Sequence, residues 1–288
     1  MDASLETLVV AGYVFATSLS IPRPGPAGRV SDPELIALAV AQAITGVCSD
    51  RQFLGQIARL LPGWFPVLPD QPQYNRRLRR LTPHLTQVQM MVAELIAQDP
   101  IRLVDGTLIA CANYPGCQRR SEFAGYASFG YCPSKSQFVW GMRLVVICDI
   151  DGVPVGYDLV GPKTGEERDS ALHLAGGHPG SVLFADKGIW GKELDASMHL
   201  IGVQLITPER HQLGKRPPVE IAKARIRLII ESLFSNLKRQ MRLEQHLAKT
   251  IAGLVQRIAQ RLLALTLAMF LNTLLGRPPR ALADYDGR

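Results

Sequence analysis

The sequence predicts an α/β protein: a mixed five-stranded sheet flanked by helices, preceded by an all-helical region and followed by a helical extension. Three observations carry this. Short apolar runs rich in β-branched residues, such as IRLVDGTLI at 101–109 and GVQLITPE at 202–209, read as buried strands. Apolar residues at three- and four-residue spacing mark helices before, between and after those runs. An Asp151-Gly152 pair inside GMRLVVICDIDGVPVGYDLV, residues 141–160, marks a tight β-hairpin turn.

In chain order, IPRPGPAG at 21–28 is a loop, and Ser31-Asp32-Pro33 opens a helix over 32–47. LLPGWFPVLPDQPQ at 60–73 is a second irregular link, followed by the arginine-rich QYNRRLRRL at 73–81. The strand at 101–109 carries Asp105, and residues 107–140 form a polar and aromatic stretch. In the hairpin after it, Asp149 and Asp151 are expected as turn residues rather than ligands. GEERDSALHLAGG at 165–177 is a short helix whose first turn holds Glu166, Glu167 and Asp169, where acids favour the helix dipole. SVLFADKGIWG at 181–191 is a strand ending in Asp186. A short helix at KELDASMHL, the strand at 202–209 and the helix RIRLIIESLFSNLKRQ, 225–240, complete the order β-β-β-α-β-α-β-α. The segment HLAKTIAGLVQRIAQRLLALTLAMFLNTLLG, 246–276, is a long helical pattern expected to close the far face of the sheet with Arg257 and Arg261 outward.

The helix at 225–240 puts Arg227, Glu231 and Lys238 within roughly 40° of one another, since each residue turns the helix by about 100°. Ile226, Ile229, Ile230, Leu233 and Leu237 form a separate apolar stripe. An acid framed by two cations on the polar face suits a metal ligand beside a phosphate clamp. Asp105 and Asp186 lie in or at the end of apolar strands, where a carboxylate is costly unless its charge is compensated, and a hard divalent cation compensates it. With 25 acidic residues in the chain, the spacing of three acids decides nothing by itself; their settings do.

Those settings resemble the RNase H-like fold and bacterial insertion-sequence transposases of the DDE type. The resembling pieces are VDGT at 104–107, ADKGIWG at 185–191, LITPER at 205–210 and IESLFSNLK at 230–238. Many such transposases carry Tyr-(2)-Arg-(3)-Glu-(6)-Lys around the last acid; Arg227, Glu231 and Lys238 match, while Ala224 stands at the tyrosine position. SDPELIALAVAQAITG and PQYNRRLRRL are similar to the insertion-sequence nine-eighty-two group. The resemblance spans about residues 30–280. It implies catalytic and metal-binding roles for Asp105, Asp186 and Glu231, with two Mg²⁺ ions for which Mn²⁺ substitutes. It also implies cleavage of element ends, and joining of the 3′-hydroxyl to target DNA without a covalent protein intermediate. The implied organisation is a helical DNA-end-binding region over 1–98, a catalytic core over 99–245 and a C-terminal extension over 246–288 packing on the core.

Thirty-two Lys and Arg against 25 acids give +7, with a pI near 9.3, which suits a polyanionic partner. Double-stranded DNA, as terminal inverted repeats and as target, is the expected partner, held by Arg227, Lys238, Arg76, Arg77, Arg79, Arg80, Arg119, Arg120 and Arg210. The insertion CQRRSEFAGYASFGYCPSKSQFVWG at 117–141 mixes Arg119, Arg120 and Lys135 with Tyr126, Phe129, Tyr131, Phe138 and Trp140. Those rings fit stacking on unpaired bases and fit packing against the sheet equally well. Joining two ends implies at least a dimer at work.

Five cysteines without a CxxC pair argue against zinc and for reduced thiols in a cytoplasmic protein. The first 20 residues lack a basic leader, and the apolar run within 262–275 is shorter than the roughly 20 residues a bilayer needs. Two other readings fit the same residues: an RNase H-like nuclease without strand transfer, and a non-catalytic DNA-binding repressor.

Overall fold

The structure, a computed structural model, describes residues 2–22, 25, 28–112, 116–132, 136–207 and 218–287, without the side chains of 187 and 218–227. By compactness the chain forms two units, one of residues 1–96 with 235–288 and one of residues 97–234.

The first unit is helical. Helix α1 (Leu5–Thr17) is capped by Ser4, whose hydroxyl accepts from the Thr7 N–H. Helix α2 (Asp32–Ile44) starts where the sequence predicts. Ser31 and Glu34 form a reciprocal capping box, with the Ser31 N–H donating to Glu34 Oε2 at 2.6 Å, and Pro33 sits in the first turn. Helices α3 (Asp50–Leu60) and α4 (Gln71–Ile96) follow. Between the two units' residues runs α8 (Pro218–Arg239), whose buried stripe is Ile230, Leu233, Phe234 and Leu237.

Helix α9 (Ile251–Leu274) is the centre of this unit and packs on α1, α2 and α4. It is long and apolar enough to cross a bilayer by length and composition, and 89% of its most apolar 18-residue window is buried inside the protein. Arg257 and Arg261, expected outward, are buried instead. The reason is a set of partners far away in sequence. Arg257 pairs with Asp50 at 2.6 Å, and Gln42, Tyr74 and Gln260 join the same network. Arg261 donates to the Met241 carbonyl at 2.8 Å and the Arg257 carbonyl at 2.9 Å. Burial of charged groups is tolerable only with such satisfaction. Burial, then the Arg257 charge, lowers the Arg261 pKa.

The second unit is built on a mixed sheet. Its strands are β1 (Ile101–Ala110), β2 (Ser128–Cys132), β3 (Gln137–Asp149), β4 (Pro154–Val160), β5 (Val182–Ala185) and β6 (Gln204–Ile206). The strand order is β2-β3-β1-β5-β6, with β4 also paired to β3. β1 is antiparallel to β3 and parallel to β5, and β5 is parallel to β6. Helix α5 (Cys117–Arg120) precedes β2, α6 (Thr164–Ala175) packs on β3 and β4, and α7 (Lys192–Leu200) leads to β6. This is the RNase H-like arrangement expected, with six strands among the described residues rather than five.

The added strand is β2, in the stretch read as an irregular insertion. Only Gly130 is buried along it, so its own pattern carries no core periodicity, and its partner is the start of the 13-residue β3. The hairpin turn at Asp151-Gly152 is present: Gly152 has φ +85°, and Asp149 Oδ1 accepts from the N–H groups of Asp151 at 3.0 Å and Val153 at 2.8 Å. Asp149 is a turn residue as expected.

Candidate active site

The two aspartates meet through the parallel pairing at the middle of the sheet. Ile101 lies opposite Val182 and the register runs in step to Val104 opposite Ala185. Asp105 and Asp186 are the next residue on each chain after that last pair, β5 itself ending at Ala185. The Ile189 N–H closing on the Asp186 carbonyl at 2.9 Å starts a short 3-10 turn. The pair therefore sits at the carboxyl end of β5, the side of open α/β sheets where ligands bind. Both side chains are half-buried, and Asp105 Oδ1 accepts from the Gly106 N–H at 2.8 Å.

Three further residues support this place that sequence reasoning did not single out. Gly106 has no room for a side chain: a Cβ would collide with Glu167 Oε1 and press on the Arg143 methylenes at 2.9 and 3.2 Å. Glu167, on α6, is buried and ion-paired with Arg143 of β3 at 3.0 Å. Burial pushes its carboxyl pKa up, Arg143 pulls it down, and the charge of Asp186 pushes it up again. A third acid thus lies within electrostatic reach of Asp186. The signal was available, since Glu167 shares the buried face of α6 with Ser170, Ala171 and Ala175 at helical spacing.

Glu231 is exposed on α8, off the buried stripe of that helix. Among the described residues no three His, Cys, Asp or Glu side chains gather closely enough to hold a metal ion. The structure therefore carries Asp105 and Asp186 on adjacent parallel strands or at their end, and the three carboxylates do not form a metal-sized group among the described residues. As a donor set the two aspartates fit a hard divalent cation, with oxygen ligands from adjacent strands and access to solvent.

The expected DNA contacts divide. Arg76 and Arg79 are exposed on α4, whereas Arg77 and Arg80 hold the buried Asp32 at 2.5 and 2.8 Å, and Arg77 also donates to the Val30 carbonyl at 2.8 Å. Arg119 and Arg120 are exposed on α5. Lys238 lies 3.9 Å from Glu244. Arg210, Lys135 and the side chains of Arg227 and Lys187 lie outside the described residues.

The family model described as transposase DDE domain matches residues 96–267, more than half of the chain. The chain belongs to the transposase DDE domain family. No curated protein and no solved structure matches it. The span matched to the transposase DDE domain contains every strand of the sheet together with Asp105, Asp186 and Glu231. Transposases of this kind act on DNA and generally use divalent metal ions, in keeping with the basic charge and the paired aspartates.

Proposed function

We propose that the protein cleaves the ends of an insertion sequence and joins the freed 3′-hydroxyl to target DNA, with Asp105, Asp186 and Glu231 as its carboxylates. The observation that supports this is the β1–β5 register within the transposase DDE domain, in which Asp105 and Asp186 each follow the last paired residues, Val104 and Ala185. Asp105 and Asp186 would hold Mg²⁺ or Mn²⁺, with Glu231 contributing the third carboxylate. Divalent ions bound there would lower the pKa of an attacking water and stabilise the leaving 3′-oxygen.

The chain's own residues supply position and charge. The Gly106 N–H fixes one oxygen of Asp105, and the Arg143–Glu167 pair fills the space against Gly106 so that the strand cannot shift. By helical spacing Arg227 and Lys238 are expected on the side of Glu231 and would grip phosphates beside the scissile bond. Arg76 and Arg79, exposed and basic, extend the phosphate contacts along α4. No side chain forms a covalent intermediate. The amino-terminal helices are compatible with the nine-eighty-two group, and paired ends would require at least a dimer.

The exposed position of Glu231 favours keeping a non-catalytic DNA-binding reading in view, because a remnant that binds DNA has no need to gather the third acid. Incubation of the protein, Asp105→Asn and Glu231→Gln with a labelled duplex carrying the element end separates the two. Nicking with Mg²⁺ that disappears with EDTA and in both variants supports the transposase. Equal DNA binding by all three proteins, with no cleavage under Mg²⁺ or Mn²⁺ on paired ends, supports the non-catalytic reading. Metal-dependent nicking without strand-transfer products would leave a nuclease.

A further inference from the structure

The β2–β3 hairpin presents aromatic rings to solvent on one face. Directly opposed residues of an antiparallel pair share a face, and here Phe129 opposes Trp140 while Tyr131 opposes Phe138. Trp140 is buried and anchors the row. Phe129, Tyr131 and Phe138 are 52%, 50% and 70% exposed. The Tyr131 and Phe138 rings meet edge to face, centroids 5.4 Å apart, so they hold a defined arrangement. The other face of the hairpin is packed, with Gly130 seated against Leu108 and Pro162. Burying each of three such rings is worth about 1.5–3 kcal/mol, so a contiguous aromatic row left in water marks a binding surface.

Two observations say what covers it. The first is continuity with the aspartates. Alternate residues of β3 carry the hairpin face back through Met142 and Leu144 to Val146, which opposes Asp105. The rings and the Asp105 side chain are thus on the same side of the sheet. Counting strand residues at about 3.3 Å each, they are separated by roughly 20 Å for Phe129 and 26 Å for Phe138. At about 3.4 Å per nucleotide, that is roughly six to eight nucleotides. The second is charge. Arg119 and Arg120 are exposed on α5, on the approach to the hairpin, and neither makes an ion pair among the described residues, while Glu122 is the one acid described in that approach. A polyanion bearing flat apolar rings uses both features, and planar stacking on aromatics is sequence-tolerant.

We propose that Phe129, Tyr131 and Phe138 form a stacking platform for unpaired bases of DNA, roughly six to eight nucleotides from the carboxylates. This rests on the transposase reading for its ligand and not on catalysis. The full-length protein is titrated, in EDTA and at fixed salt, against a fluorescein-labelled single-stranded 20-mer and against a duplex of equal length. The variants are the triple Phe129→Ala/Tyr131→Ala/Phe138→Ala and the aromatic swap Phe129→Tyr/Tyr131→Phe/Phe138→Tyr. The expected result is a loss of about tenfold or more in single-strand affinity for the triple variant, duplex affinity within about twofold, and near wild-type behaviour for the swap.

Single-strand binding unchanged in the triple variant overturns the platform, as does a wild type with no single-strand affinity. So does an equal loss on single strand and duplex. A fall from dimer to monomer on sedimentation, with single-strand binding intact, would instead make this face a contact between copies. Should the triple variant not fold, quenching of 2-aminopurine placed in a mismatched bubble six to eight nucleotides from the cleavage position reads the wild type directly; its absence counts against the platform. Failure of the transposase reading shows separately, as absence of metal-dependent nicking by the wild type.

Discussion

A methyl group at residue 106 has nowhere to go. Gly106→Ala drives a Cβ into the Glu167 carboxylate and the Arg143 chain, and overpacking of this kind costs about 1–3 kcal/mol. Denaturant unfolding should show that loss, and nicking should fall further than stability alone explains, because the displaced strand carries Asp105. Asp149 offers a pH test. Burial raises its carboxyl pKa from 3.8 to about 6, against the backbone donors of Val153 and Asp151, which lower it. The folded protein therefore keeps a proton that the unfolded chain releases between about pH 4 and 6, and stability falls as pH rises through that window. Asp149→Asn preserves an acceptor and has no such titration. Its stability relative to wild type should improve from pH 4 to pH 7, by up to about 3 kcal/mol at 1.4 kcal/mol per unit. A difference that stays flat across that range would show that Asp149 does not titrate in the fold.

On α4, four arginines that look alike in sequence have two jobs. Replacing Arg76 and Arg79 by alanine should weaken DNA binding by a similar factor on any sequence and flatten its salt dependence, with little change in melting temperature. Replacing Arg77 and Arg80 should lower the melting temperature instead, since the buried Asp32 loses both of these cations. On α9, Asp50→Asn strands Arg257 in the helical core and should cost about 3–5 kcal/mol, read by thermal or denaturant unfolding. Local signals show which of these elements could be read in advance. The Ser31–Glu34 capping box and the Asp151-Gly152 turn are contained in four residues or fewer, and both are where the sequence puts them. β2 and the burial of Arg257 are not local: each depends on a partner met only after folding, β3 in one case and Asp50, some 200 residues away, in the other.

At the scale of the whole chain, the fold class is legible in the sequence because β-branched runs bury on both faces and say so in composition. Glu167 is read from sequence only as a first-turn acid, although Ser170, Ala171 and Ala175 at helical spacing mark the buried face that it shares. The position of Glu231 outside a metal-sized group is a tertiary matter on which helical spacing is silent. The destination of α9 was equally invisible, because a helix apolar on nearly every side announces burial without naming its partners; those partners are α1, α2 and α4. The helical unit is thereby assembled from two stretches, residues 1–96 and 235–288, with the whole sheet unit between them in sequence. Synthesis on the ribosome runs in one direction, so α1, α2 and α4 emerge before the sheet unit and wait, their shared core open, until α9 follows it. A chain cut short between residues 235 and 250 therefore carries the whole sheet unit without a closed helical one. The whole sheet must leave the ribosome before the helical unit that flanks it in sequence can close.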